Sequence, residues 1–136
     1  MAVEHVFTCT ICGAEAGRLT LYAAGETMTS VPGNQLRPAI VDLANHDPGV
    51  ARLVQNTPWV EQVFTEIELQ AVLTAIGAGD AAALHAMDTE MVPFWCPECA
   101  ASYCSRHWQT WDIMDELFFD ERRGLCPKGH ERRIVD

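Results

Sequence analysis

Apolar residues along this chain repeat with two different periods. Ile67, Leu69, Val72, Leu73 and Ile76 recur at helical spacing, which predicts a helix with one buried stripe. Thr65-Glu-Ile-Glu68 just ahead of it has the form of a capping box, in which the threonine hydroxyl and the glutamate three residues on satisfy each other's orphan amides. Gly77 and Gly79 end this helix, and Asp80 is placed to cap another over residues 81–87. Two helices joined so tightly predict a helical hairpin whose apolar stripe is core. The other period is shorter. Arg18-Leu-Thr-Leu-Tyr22 reads as a strand, and Phe7-Thr-Cys-Thr-Ile-Cys-Gly13 as a short strand running into a knuckle.

Between these patterns lies a turn-rich stretch, residues 25–38. Two short helices are expected at 39–45 and 50–55, broken by Asp47-Pro48-Gly49. Residues 108–119 fit either a helix or two strands. In both cases Trp111, Ile113, Met114, Leu117 and Phe118 are expected to supply much of the local core. Three zones result: an N-terminal knuckle at 1–18, a mainly helical stretch at 19–94 without cysteine, and a cysteine-rich part at 95–136 that packs with the first as one domain. There is no internal repeat or low-complexity segment.

Charge narrows the function. The 136 residues carry 19 acidic and 9 basic side chains, a formal net charge of −10. That opposes nucleic-acid binding, which needs a basic footprint. No apolar run reaches the length of a membrane span. The start Met-Ala-Val-Glu-His lacks the basic and apolar segments of a signal peptide. A cytoplasmic protein is therefore expected. There thiols stay reduced, and spaced cysteines read as metal ligands sooner than as disulfides.

The cysteines form pairs. Cys9 and Cys12, Cys96 and Cys99, and Cys104 and His107 each enclose two residues, while Cys126 and His130 enclose three. Such a turn lets both side chains reach one ion, at about 2.3 Å for sulfur. The pairs use all six cysteines and two of the five histidines, so eight ligands complete two tetrahedral sites. Two structural Zn2+ ions are the expected cofactors. His5, His46 and His85 read as ordinary surface or core residues. Only four residues separate Cys99 from Cys104, too few for those pairs to fold comfortably onto one ion. An interleaved arrangement follows: Cys9, Cys12, Cys104 and His107 in one site, Cys96, Cys99, Cys126 and His130 in the other. A sequential pairing stays open.

Nothing signals catalysis. Eight ligands leave no open metal position, and no Gly-x-Ser-x-Gly, phosphate loop, His-Glu-x-x-His or deaminase His-x-Glu occurs. Asp112, Asp115, Glu116 and Asp120 read as a solvated face.

The residues around the ligands resemble a RING finger, the cross-brace zinc domain of ubiquitin ligases. Ile11 precedes the second cysteine, Tyr103 precedes the third pair, Trp111 lies four residues after His107, and the last pair begins Cys126-Pro127. The resemblance covers about the first 13 and last 42 residues; 83 residues separate Cys12 from Cys96, and Cys96-Pro-Glu-Cys99 replaces the usual Cys-x-His. Residues 93–130 are also similar to uncharacterised bacterial zinc-finger proteins ending in Cys-Pro-x-Gly-His. The RING resemblance implies a small α+β zinc-binding fold, a cross-brace with a helical insertion between the first and second ligand pairs. It implies that Ile11, Trp111 and Pro127 dock a ubiquitin-conjugating-type enzyme carrying a ubiquitin-like protein, with Arg132 or Arg133 as the cationic contact past the last ligand. The chain would be a ligase-type scaffold without a nucleophile, in a bacterial pathway, and the helical insertion would hold a protein partner. The alternative is a non-catalytic, zinc-stabilised interaction module.

Overall fold

The computed structural model describes residues 2–27, 38–47 and 49–136. The described residues form nine strands in three antiparallel sheets, with three short helices and two 3₁₀ turns. This overturns the expected α+β cross-brace with a helical insertion. Between the first two ligand pairs the described residues form three strands, Glu15–Tyr22, Arg52–Asn56 and Glu61–Phe64, as well as three short helices, so the stretch is not the mainly helical insertion expected. Most of the turn-rich stretch 25–38, and Pro48 in the expected break, lie outside the described residues.

The chain divides into two compact units, the first comprising residues 1–5, 18–56 and 60–80. A four-stranded sheet runs in the order β1 (Val3–Thr8), β2 (Glu15–Tyr22), β3 (Arg52–Asn56), β4 (Glu61–Phe64), and the ends of β1 and β2 that flank the first knuckle belong to the second unit. In β2, Leu19 and Leu21 are buried and alternate with half-buried Thr20 and Tyr22. The expected helix at 50–55 is instead β3. Its Arg52, Leu53, Val54 and Gln55 are all buried, so this inner strand lacks the period-two alternation that marks a strand with one wet face. Leu53 pairs with Leu21 on one side and Phe64 on the other. Helix α1 (Pro38–Ala44) contributes Ile40 and Ala44 to a cluster with Val54, Tyr22, Val41 and Val63. Arg52 is buried with its guanidinium satisfied by the carbonyls of Ala44, Ala23, Val50 and Glu26, and it lies 5.4 Å from the Tyr22 ring centroid.

Helix α2 (Leu69–Ala78) buries Val72 and Ile76 of the expected stripe together with Ala75, while Leu69 and Leu73 are half-buried and Ile67 lies ahead of the helix. The capping box does not form. Glu68 is the N-cap and its side chain makes no capping bond, so Thr65 lies outside the helix. Gly77 stays inside α2, and Gly79 closes it in the left-handed region, φ 63°, where the amides of Gly79 and Asp80 bond back to the last carbonyls. A side chain on Gly79 would also collide with the His5 ring at 2.6 Å.

The second unit comprises residues 6–17, 57–59 and 81–136. It contains α3 (Ala81–Met87), 3₁₀ turns at Thr89–Met91 and Ser105–His107, the short pair β5 (Trp95–Cys96) and β6 (Ala101–Ser102), and a three-stranded sheet β7 (Gln109–Asp115), β8 (Phe118–Leu125), β9 (Glu131–Val135). Residues 108–119 thus resolve as strands. Phe94 is fully buried beside Phe7, ring centroids 5.2 Å apart, and lies over Gly17, where an added Cβ would sit 2.3 Å from its ring. Tyr103 and Trp108 meet edge to face at 6.1 Å, and the Trp108 indole N–H donates to the carbonyls of Phe94 and Tyr103. The core expected from the β7–β8 segment is not formed there. Trp111 and Ile113 are half-buried, and Met114, Leu117 and Phe118 are exposed.

Among the described residues no helix is long and apolar enough to cross a membrane.

Candidate metal centres

All eight paired residues fall in the second unit, at the ends of its short elements. The first knuckle leaves β1 and turns back through the Gly13 amide bonding to the Cys9 carbonyl, with Gly13 at φ 75°. The Cys9 amide reaches Ala14, and the Thr10 amide reaches the Ser102 carbonyl, which ties this knuckle to β6 just before Cys104. Cys104 opens the 3₁₀ turn that carries His107. Cys96 ends β5, and Cys99 follows in the turn to β6. Cys126 and His130 bracket the turn from β8 to β9, closed by the Cys126 amide on the His130 carbonyl and the Gly129 amide on Cys126.

The groups interleave. Cys9, Cys12, Cys104 and His107 form one quartet, and Cys96, Cys99, Cys126 and His130 the other, with one donor atom from each residue within 4.8 Å of the rest. Cys12 and Cys104 sulfurs are 3.6 Å apart and Cys99 and Cys126 sulfurs 3.7 Å. In the first quartet the His107 Nδ1 lies 3.4 Å from Cys9 and 3.2 Å from Cys104. In the second, the His130 Nδ1 lies 3.5, 3.3 and 3.4 Å from Cys96, Cys99 and Cys126.

These distances suit an ion. Sulfurs about 2.3 Å and a nitrogen about 2.0 Å from a tetrahedral centre stand about 3.8 Å (S to S) and about 3.5 Å (S to N) from one another. A disulfide needs about 2.05 Å, and no two sulfurs come so close; all six cysteines are free thiols. Each quartet could hold one metal ion. All four donors come from the chain, so a tetrahedral ion would have no open position.

The electrostatics also call for a cation. Burial pushes the Cys9 thiol up, but the backbone amides of Cys104, Cys12 and Ile11 outweigh it and bring the thiol down to about 6. Burial likewise opposes Cys126, yet the amides of His130 and Lys128 bring it to about 7. Their neighbours go the other way. Burial raises Cys96 to about 12, and burial raises Cys104, each with further upward pressure from adjacent thiols. Each cluster thus eases the ionisation of one sulfur and resists that of another, a deficit that a dication would remove. The Tyr103 hydroxyl is raised as well, first by its hydrogen bond with Cys99 and then by burial. Arg106 reaches Cys12 at 3.8 Å from the solvent side.

The residues singled out for docking scatter by environment. Ile11 stands 54% exposed on the first knuckle, and Pro127 is exposed on the last. Trp111 is half-buried on β7 opposite Arg123, on a strand and not a helix. Arg133 is exposed and reaches Asp136 at 3.7 Å. Arg132 turns inward. It donates to the carbonyls of Val92, Trp95 and Thr89 at 3.0, 2.6 and 3.1 Å, and burial lowers its guanidinium to about 10. Two features escaped sequence reasoning: Arg106 beside the first quartet, and the exposed apolar end of β7–β8. The consecutive Leu117-Phe118-Phe119 between acidic residues signals the latter, since a one-faced strand alternates.

The chain matches, over residues 2–136, the family described as Domain of unknown function (DUF8328). It belongs to that family. No curated protein and no solved structure matches this DUF8328 member.

Proposed function

We propose that this DUF8328 member is a zinc-stabilised, non-catalytic protein-interaction module. One observation carries the reading: both quartets are complete in protein ligands, and together they use every cysteine of the chain. Zinc suits three thiolates and one imidazole in tetrahedral array, and it brings no redox activity. With four protein ligands on each ion there is no place for an activated water. With all thiols engaged there is no nucleophile to carry a thioester. Thiolate ligation fits a reducing compartment, and we place the protein in the cytoplasm.

Native mass spectrometry tests the ions, and cobalt substitution tests their closure. Two bound zinc ions are expected. The visible spectrum of the cobalt-loaded protein should be that of tetrahedral sulfur–nitrogen ligation and should not change when azide or cyanide is added. A spectrum that responds to either anion would reveal an open position and end the non-catalytic reading.

A second reading is favoured by the exposure of Ile11 and Pro127, apolar residues on the knuckles that pack against nothing enclosed. They would dock a ubiquitin-conjugating-type enzyme charged with a ubiquitin-like protein, and the chain would position the thioester near an amine without supplying a nucleophile. This reading stands on those two side chains, not on a RING fold. Its test is binding of the charged enzyme to wild type and to Ile11→Ala. Equal binding rejects it.

A further inference from the structure

The hairpin β7–β8 ends in apolar side chains turned to water. Leu117 is 93% exposed and Phe118 76%, and Met114 and Phe119 are also exposed. Met114 faces Phe119 across the ladder, and Asp115 faces Phe118, so the four apolar side chains occupy one two-residue turn and the two pairs that close it. Successive strand residues face opposite sides, so Phe118 and Phe119 cover the tip from both faces, and apolar side chains exposed together in this way mark a contact surface.

The backbone supports the same conclusion. Glu116 and Leu117 take φ of 47° and 78°, the left-handed region that two-residue hairpin turns usually fill with asparagine and glycine. A leucine there costs backbone energy, and its nearly full exposure offsets none of it within the chain. The register also shifts between Ile113 and Met114, which leaves Asp120 without a cross-strand partner and re-aims the end of the hairpin.

Charge identifies the occupant. Asp112 is held by Arg122 at 2.7 Å, and Glu121 by Arg123 at 3.2 Å. Beyond them Asp115, Glu116 and Asp120 are exposed and take no ion pair among the described residues. The arginines stop where the apolar tip begins. Two tips meeting would crowd six such carboxylates in a chain already at −10, and an anionic lipid surface would repel the same charges. We infer that the β7–β8 tip is a docking prong, with Leu117 and Phe118 as its apolar anchors, for a partner protein whose apolar surface is rimmed by lysine or arginine. The inference rests on the interaction-module reading and names the surface and the chemistry of its partner.

The test uses the zinc-loaded full chain and two labelled synthetic amphipathic helices, one of leucine and lysine, the other of leucine and glutamate. Fluorescence anisotropy measures binding to wild type, to L117S/F118S, which keeps every charge, and to D115N/E116Q/D120N, which keeps every apolar group. The lysine peptide should bind wild type and the glutamate peptide should not. Each variant should weaken binding roughly tenfold or more, with two ions still bound. The prong is overturned if L117S/F118S binds as well as wild type, since charge alone would then explain the affinity. It is equally overturned if wild type binds neither peptide. Tip-dependent self-association in sedimentation, or tip-dependent binding to phosphatidylcholine vesicles, also rejects it in favour of a second copy or a lipid surface. Any of these results with a closed cobalt spectrum sinks the prong alone, whereas an anion-sensitive spectrum sinks the module reading whatever the peptides do.

Discussion

Cys12 and Cys104, 92 positions apart in the chain, hold their sulfurs 3.6 Å from each other. Between those positions the chain builds the inner strands of one sheet and three helices, so this contact closes a long loop. Closing it with a structural zinc can contribute about 10–16 kcal/mol of apparent binding energy, comparable to or larger than the whole net stability of an ordinary domain, about 5–15 kcal/mol. The side chains around it are few. Tyr103, Trp108 and Ile134 are the large buried groups that share a cluster with the sulfurs.

Chelation should therefore unfold the second unit, seen as loss of the near-ultraviolet circular dichroism of Trp108 and Tyr103. Cys104→Ser should reduce the count from two ions to one by opening only the first quartet. Retention of native dichroism after complete metal removal would contradict the assignment of the metal centres as the main source of stability.

Gly17→Ala should destabilise the protein by about 1–3 kcal/mol, because the new Cβ would stand 2.3 Å from the Phe94 ring. Phe94 is fully buried and already stacked near Phe7, so it has little room to retreat. Adding Phe94→Leu should recover part of the loss. Denaturant titration of the two variants measures both effects, and a fully stable Gly17→Ala would mean that the close approach is absent.

Arg132→Ala should cost about 2–4 kcal/mol, since three carbonyls, those of Val92, Trp95 and Thr89, lose a charged donor at once. Arg132→Lys should restore little, because an ammonium lacks the planar fork that spans them. Thermal melts of both proteins distinguish this internal role from a surface role, in which neither change would move the midpoint.

His85 provides a pH test. Burial first, and then the Arg132 charge, lower its imidazole from the ordinary range. The folded protein therefore binds that proton less readily than the unfolded chain. The stability tied to neutral His85, whose ring lies 5.0 Å from that of Trp95, is present above the unfolded value near 6.5 and is lost as pH falls through the folded one. His85→Gln should flatten the difference in stability between pH 7 and pH 5.5 relative to wild type. Identical slopes would remove His85 from the account.

The ligand quartets were legible because ligand type and local spacing are written along the chain. The four residues between Cys99 and Cys104 disfavour those two pairs on one ion but fit both an interleaved and a sequential pairing, and only the folded chain shows the interleaved one. The sheets were not. β3 is buried on both faces, so Val50-Ala-Arg-Leu-Val-Gln55 shows no alternation by which a strand could be told from a helix. Thr65 matched a capping box by letter, yet α2 starts only after Glu68, because the buried stripe Val72, Ala75 and Ile76 and not the cap decides where the helix forms. Met114, Leu117 and Phe118 have the hydrophobicity of core residues yet stand exposed at the tip, because hydrophobicity does not say which end of a hairpin meets water.

What the sequence determined by itself is the chemistry of the two centres: which eight side chains can bind, and that no thiol is left over. The tertiary structure alone decided that Arg132 points inward and the β7–β8 tip outward, how the ligand pairs interleave, and that strands β3 and β4 run through the middle of the chain. Ligation depends on donor atoms a few residues apart, whereas burial depends on which distant strands come to lie alongside, and local pattern does not encode that neighbour.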